Sequence, residues 1–158
     1  MLLGIYLNDH LAAATGARDL ARRAASSNRG SEYGPFLERL AEEITEDRES
    51  LVVIMRALKV KVDPLKVFVG WGAEKVGRLK LNGRLVGYSP LSRLVELETL
   101  ALGVHGKLAL WRSLQQLEPT LLGTADDLLA ELMDRAQRQV EELELYRQRA
   151  CAEALTSD

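Results

Sequence analysis

A single cysteine, Cys151, leaves no partner for an intramolecular disulfide, so nothing in the composition asks for an oxidising compartment. Aromatic residues make up only 5% of the chain, which removes stacked aromatic clusters as the main source of core stability. The chain has just two histidines, His10 and His105, and neither stands in a Glu-x-x-His triplet. No phosphate-cradling glycine loop follows a strand-like stretch, and no basic motif is interleaved with aromatics as nucleic-acid readers require. No apolar run is long enough for a membrane span: Asp9 and His10 interrupt the first within a few residues. The stretch MLLGIYLNDHLAAA also lacks the basic start of a secretory leader, and a cytoplasmic protein is the expectation.

What remains is aliphatic and helical. The 158 residues are 47% hydrophobic and 28% charged, which suits one globular domain spanning 1–158 with a core of Leu and Ala. Four stretches carry helical periodicity. The first runs from about 4 to 27, with an inner face of Leu7, His10 or Leu11, Ala14, Ala17, Ala21 and Ala24; Gly30 is its natural stop. Pro35 suits the first turn of the second, whose seam repeats every seven residues as Leu37, Leu40, Ile44, Asp47, Leu51, Ile54 and Leu58. Ser89-Pro90 opens the third, to about 117, which is apolar nearly all round. Such a helix is either central in a bundle or shared with another copy of the chain, and a homodimer is the expectation. The fourth spans about 125–154 behind Thr124 and Asp127, which read as a capping pair, with a seam of Leu129, Leu132, Ala136, Val140, Leu143, Tyr146 and Ala150.

The links between these helices differ in length. Short ones join the first to the second and the third to the fourth, so each pair should form an antiparallel hairpin. About thirty residues separate the second from the third. They include an extended Lys59-Val60-Lys61-Val62, a cap-and-proline start at Asp63-Pro64, a short helix over about 64–80 and a turn at Asn82-Gly83. A link of that length can run the whole height of a bundle.

Helix order, helix lengths and this crossover resemble the ferritin-like superfamily of four-helix bundles. The segments EKVGRLKLNGRL and SPLSRLVELETLALGVHGKLALWRSL also resemble small bacterial helical proteins, a likeness that implies no activity. Ferritin-like di-iron proteins place a Glu-x-x-His on each of two helices, because residues three apart share a helix face and can aim at one metal. The absence of that triplet makes a non-catalytic, ligand-binding or interaction protein the first reading, with no cofactor.

Polar residues on apolar faces supply the candidates. Asp47 lies mid-seam. Glu98 and His105 share a face of the third helix with Leu91, Leu94, Leu102 and Ala109, and His10 borders the inner face of the first. A buried carboxylate must be paired, protonated, solvated or metal-bound. Pairings such as Glu98 with Arg18 or His10 with Asp47 would fix helix register. The alternative is an atypical iron or manganese centre of Asp47, Glu98, His105 and His10 in a degenerate oxidoreductase.

Two glycine stripes add to the list: Gly70, Ala73 and Gly77 on the crossover helix, and Thr99, Gly103 and Gly106 on the third. Glycine inside a helix costs up to ~1 kcal/mol, so either close helix approach or room for a ligand is expected. Charge is uneven as well. Residues 56–112 hold eleven Lys and Arg against four Asp and Glu, including every lysine in the chain. This basic segment could complement the acidic flanks or meet an anionic partner.

Overall fold

The computed structural model describes residues 2–64, 87–117 and 125–156. The crossover helix expected over about 64–80, the Asn82-Gly83 turn, the Gly70/Ala73/Gly77 stripe, Trp71 and the Thr124 cap lie outside them. Among the described residues there are four helices and no strand: α1 (Leu2–Ser27), α2 (Gly34–Ala57), α3 (Pro90–Leu114) and α4 (Ala125–Leu155).

Each boundary has a local cause. Asn28 closes α1 by donating its side-chain amide to the Ala24 carbonyl (2.8 Å), and Gly30 adopts φ +79°, the left-handed conformation that glycine tolerates best. The chain then turns so tightly that a Cβ on Gly34 would lie 2.9 Å from the Asn28 carbonyl oxygen. Pro35 sits in the first turn of α2, where its missing N–H costs nothing. α2 ends in a doubly bonded reversal: Val60 N–H donates to the Met55 carbonyl (2.8 Å) and Lys59 N–H to that of Arg56 (3.0 Å). Lys59, not glycine, takes the left-handed position, at φ +54°. The extended Lys59–Val62 expectation is met only by irregular backbone. Asn8 holds it, giving its side-chain N–H groups to the carbonyls of Gly4 (2.8 Å) and Lys61 (3.0 Å) and accepting from Asp63 N–H (2.7 Å). At α3, the Ser89 hydroxyl accepts from Ser92 N–H (3.1 Å) and Ser92 returns the bond to Ser89 N–H (3.3 Å).

Every helix contact is antiparallel. α1 and α2 are paired by Arg48 with Thr15 and Arg22 with Thr45, α1 and α3 by Arg23 with Glu96. α2 and α4 are tied by Arg39 with Glu142 and Arg135 with Glu46, α3 and α4 by Arg93 with Glu153. Packing is closest within α1/α2 and α3/α4 and thinnest between α2 and α4, while α1 and α4, like α2 and α3, stand on the diagonals. It follows that the C-terminus of α2 and the N-terminus of α3 lie at opposite ends of these helices.

The predicted seams reach the core. Leu37, Leu40, Ile44, Leu51 and Ile54 of α2 meet Leu7, Leu11, Ala21 and Ala24 of α1, and Leu129, Leu132, Ala136, Leu143 and Ala150 line α4. Such burial contributes ~1.5–3 kcal/mol for each large aliphatic side chain. α3 divides its apolar residues: Leu94, Leu97, Leu100, Val104, Leu108 and Trp111 go inside, whereas Leu91 and Leu102 are exposed.

Near the α3 N-terminus a polar clamp joins all four helices. Asn28 is buried, accepts from Arg93 Nε (2.7 Å) and donates to the Tyr88 hydroxyl (2.7 Å). Arg93 also binds Glu153 (2.7 Å) and lies 4.3 Å from the centre of the Tyr33 ring. Tyr33 donates to Glu153 (2.7 Å), and burial together with that bond pushes its phenol up to about 12.

Candidate functional site

Asp47 occupies its seam position as expected and is 2% exposed. Its partner is not His10 but Lys107 of α3, whose ammonium reaches across the bundle diagonal to Asp47 Oδ2 and also donates to Gln139 Oε1 on α4. Asp47 Oδ1 accepts from Arg135 at 3.1 Å, and Arg135 continues to Glu46 at 2.9 Å. Gln139, itself buried, passes the network on by donating to Glu43 (2.8 Å). Burial pulls the Lys107 ammonium below the ordinary lysine range, and the adjacent Asp47 carboxylate pushes back.

Lys107 and Gln139 are absent from the sequence-derived candidates, although the signal existed. Lys107 lies seven residues from Leu100 and from Leu114, and Gln139 seven from Leu132 and from Tyr146, the same seam spacing that singled out Asp47.

The other candidates separate. Glu98 is exposed and pairs with Arg147 (3.7 Å) rather than Arg18, whose guanidinium binds Asp19 (2.9 Å). His105 is exposed on the outer face of α3. His10 is half-buried with its ring edge-on to Tyr6 at 4.6 Å, and desolvation lowers its pKa against the pull of Asp9, favouring the neutral imidazole. Among the described residues no three His, Cys, Asp or Glu side chains gather so as to hold a metal ion. Asp47, Glu98, His105 and His10 therefore do not form the expected ligand set: α3 turns Glu98 and His105 away from the helix that carries Asp47.

Asp47 and His10 do line one cavity, of about 220 Å³, between α1, α2 and α3. One of its walls is a seam of small residues. Ala13, Ala14 and Ala17 of α1 face Gly103 and Gly106 of α3. A Cβ on Gly103 would meet only Ala17 at an ordinary 3.9 Å, and one on Gly106 would meet nothing within 4 Å. These glycines are not needed for close helix approach; they leave space. The inner walls are aliphatic, from Ile44, Leu51, Leu100, Val104 and Leu110.

Three groups give this apolar space its polarity beyond the Asp47–Lys107 pair. Trp111 lines it, is 1% exposed, and its indole N–H has no hydrogen-bond acceptor, the one buried side-chain donor so placed among the described residues. Arg48 lines it too, donating from Nε to the Thr15 hydroxyl (2.9 Å). His10 is the third. An unpaired buried donor costs ~1–3 kcal/mol, a cost the Trp111 indole carries inside the packed wall, its nitrogen closed off from solvent.

No described helix is long and apolar enough to cross a membrane. No family model, curated protein or solved structure matches the chain.

Proposed function

We propose that this protein is a non-catalytic, ferritin-like helical bundle that binds a small molecule in the α1–α2–α3 cavity. The ferritin-like part of this reading is supported by the antiparallel neighbours and by the opposite placement of the ends that residues 58–89 join. The single observation that carries the binding part is an apolar cavity between α1, α2 and α3 where Gly103 and Gly106 leave space that no neighbouring side chain fills. Binding rather than catalysis is favoured by the state of the polar groups. The Lys107 ammonium is committed to Asp47 and Gln139, and each Asp47 oxygen already accepts a hydrogen bond. A cavity of about 220 Å³ exceeds the ~150 Å³ that holds benzene and falls below the range of drug-sized ligands, so its occupant has roughly ten non-hydrogen atoms.

Thermal melts of the purified protein with a panel of eight-carbon amphiphiles test this. A rise in Tm that saturates with concentration, and is lost in Gly106→Leu, is expected. No shift with any member would refute it.

A homodimer through the outer face of α3 belongs to the same reading, supported by Leu102 at 73% exposure and Leu91 at 41%. Light scattering that gives a monomer at every concentration would remove it. The basic segment 56–112 gains less support as an anionic-partner surface: Lys107 is spent inside the bundle and Arg93 on Glu153.

A further inference from the structure

We infer that the ligand of the α1–α2–α3 cavity is a small monocarboxylate with an apolar body. This rests on the binding reading above and names the chemistry of its occupant. The polar groups at the cavity are unbalanced toward donors. Arg48 contributes a guanidinium whose described partner is the neutral Thr15 hydroxyl, not a carboxylate.

Among the described residues no carboxylate bonds Arg48. Burial and the neighbouring Arg18 both disfavour its charged form, and Glu49 and Asp19 offset them only in part. Asp19 is itself bound to Arg18 at 2.9 Å. On the acceptor side the cavity offers one ring nitrogen of the neutral His10 imidazole. Asp47, the carboxylate in its wall, is committed through one oxygen to Lys107 and through the other to Arg135. Lys107 in turn is matched by Asp47, so it adds no net positive charge to attract an anion.

A neutral apolar molecule would leave the Arg48 guanidinium with the Thr15 hydroxyl alone, and a cation would meet its positive charge. A carboxylate presents acceptor oxygens and one negative charge, and a guanidinium binds it with two parallel N–H groups. The rest of the molecule must suit Ile44, Leu51, Leu100, Val104 and Leu110, which offer no hydrogen bonds from their side chains. A medium-chain fatty acid such as octanoate fits in size and polarity. The small residues Ala13, Ala14, Ala17, Gly103 and Gly106 leave it room between α1 and α3.

Isothermal titration of the full chain with octanoate, octanol and octylamine decides it. Octanoate should bind at least tenfold more tightly than octanol, and octylamine should give no measurable heat. Arg48→Gln should erase the octanoate advantage while leaving octanol affinity within about threefold, and Gly106→Leu should abolish both. Equal affinity for octanoate and octanol in the wild type would overturn the carboxylate assignment and leave the binding reading standing. An octanoate preference that survives Arg48→Gln would overturn the assignment to Arg48. Should Arg48→Gln fail to fold by circular dichroism, Arg48→Lys is titrated instead, and its octanoate preference must fall while remaining above that of octanol. Failure of all three probes would overturn both the assignment and the reading beneath it.

Discussion

Lys107 and Asp47 are bound to each other across the diagonal of the bundle, between α3 and α2, two helices whose backbones do not pack together. The pair lies between the two antiparallel hairpins, with Gln139 of α4 completing it. A buried ion pair adds little net stability over an apolar core, but a half of one is costly.

Lys107→Met should therefore destabilise the protein by about 3 kcal/mol in urea unfolding, because the buried Asp47 loses its nearest partner and keeps only Arg135. The double variant Lys107→Met/Asp47→Leu should be less destabilised than Lys107→Met alone. Losses that simply add in the double variant would show that the two residues do not act as a pair.

Two glycines should respond in opposite directions. Gly106→Ala adds a methyl to open space within a helix and should stabilise by up to ~1 kcal/mol. Gly34→Ala places Cβ 2.9 Å from the Asn28 carbonyl oxygen, backbone that cannot rotate away, and should destabilise by ~1 kcal/mol or more. Thermal melts of both, read side by side, check the assignment.

Among the described residues, Lys59 is the non-glycine residue with positive φ, at the reversal that ends α2. Its side chain makes the left-handed conformation cost roughly 1 kcal/mol that glycine would not incur. Lys59→Gly should raise the urea midpoint without changing the slope of the transition.

His10 links stability to pH. Desolvation lowers its folded pKa below the unfolded value near 6.5, so the unfolded chain binds the proton more readily. The stabilisation from a neutral His10 is present above pH ~6.5 and is lost as pH falls through the folded pKa. His10→Gln should flatten the pH dependence of Tm in that acidic window. An unchanged profile would mean that the imidazole does not sense burial.

How much of this was legible in the sequence depends on whether a helix has one apolar face or two. α2 has a single seam, and its period put Asp47 on the inner face, where it is buried. Gly30, Pro35 and Ser89-Pro90 marked boundaries because their backbone constraints are local. α3 is apolar on both sides, so periodicity could not say which side is buried, and Glu98 and His105 were assigned to a face that carries the exposed Leu91 and Leu102. In α4, Val140 was placed in the seam one position past the buried Gln139. Side-chain pairing across the bundle was not legible at all. It depends on which helices share a diagonal, and the length of the 58–89 link narrows that choice without deciding it.

The seam of Ala13, Ala14 and Ala17 against Gly103 and Gly106 sets how the cavity can adapt. Side chains with no χ angle cannot swing aside, so on that wall the available width is the separation of two backbones. A ligand one carbon too long cannot be accommodated there by a rotamer change; α1 and α3 would have to part along their length. Selectivity by size should therefore be abrupt, and substitutions in the seam should shift the preferred chain length in steps of single methyl groups.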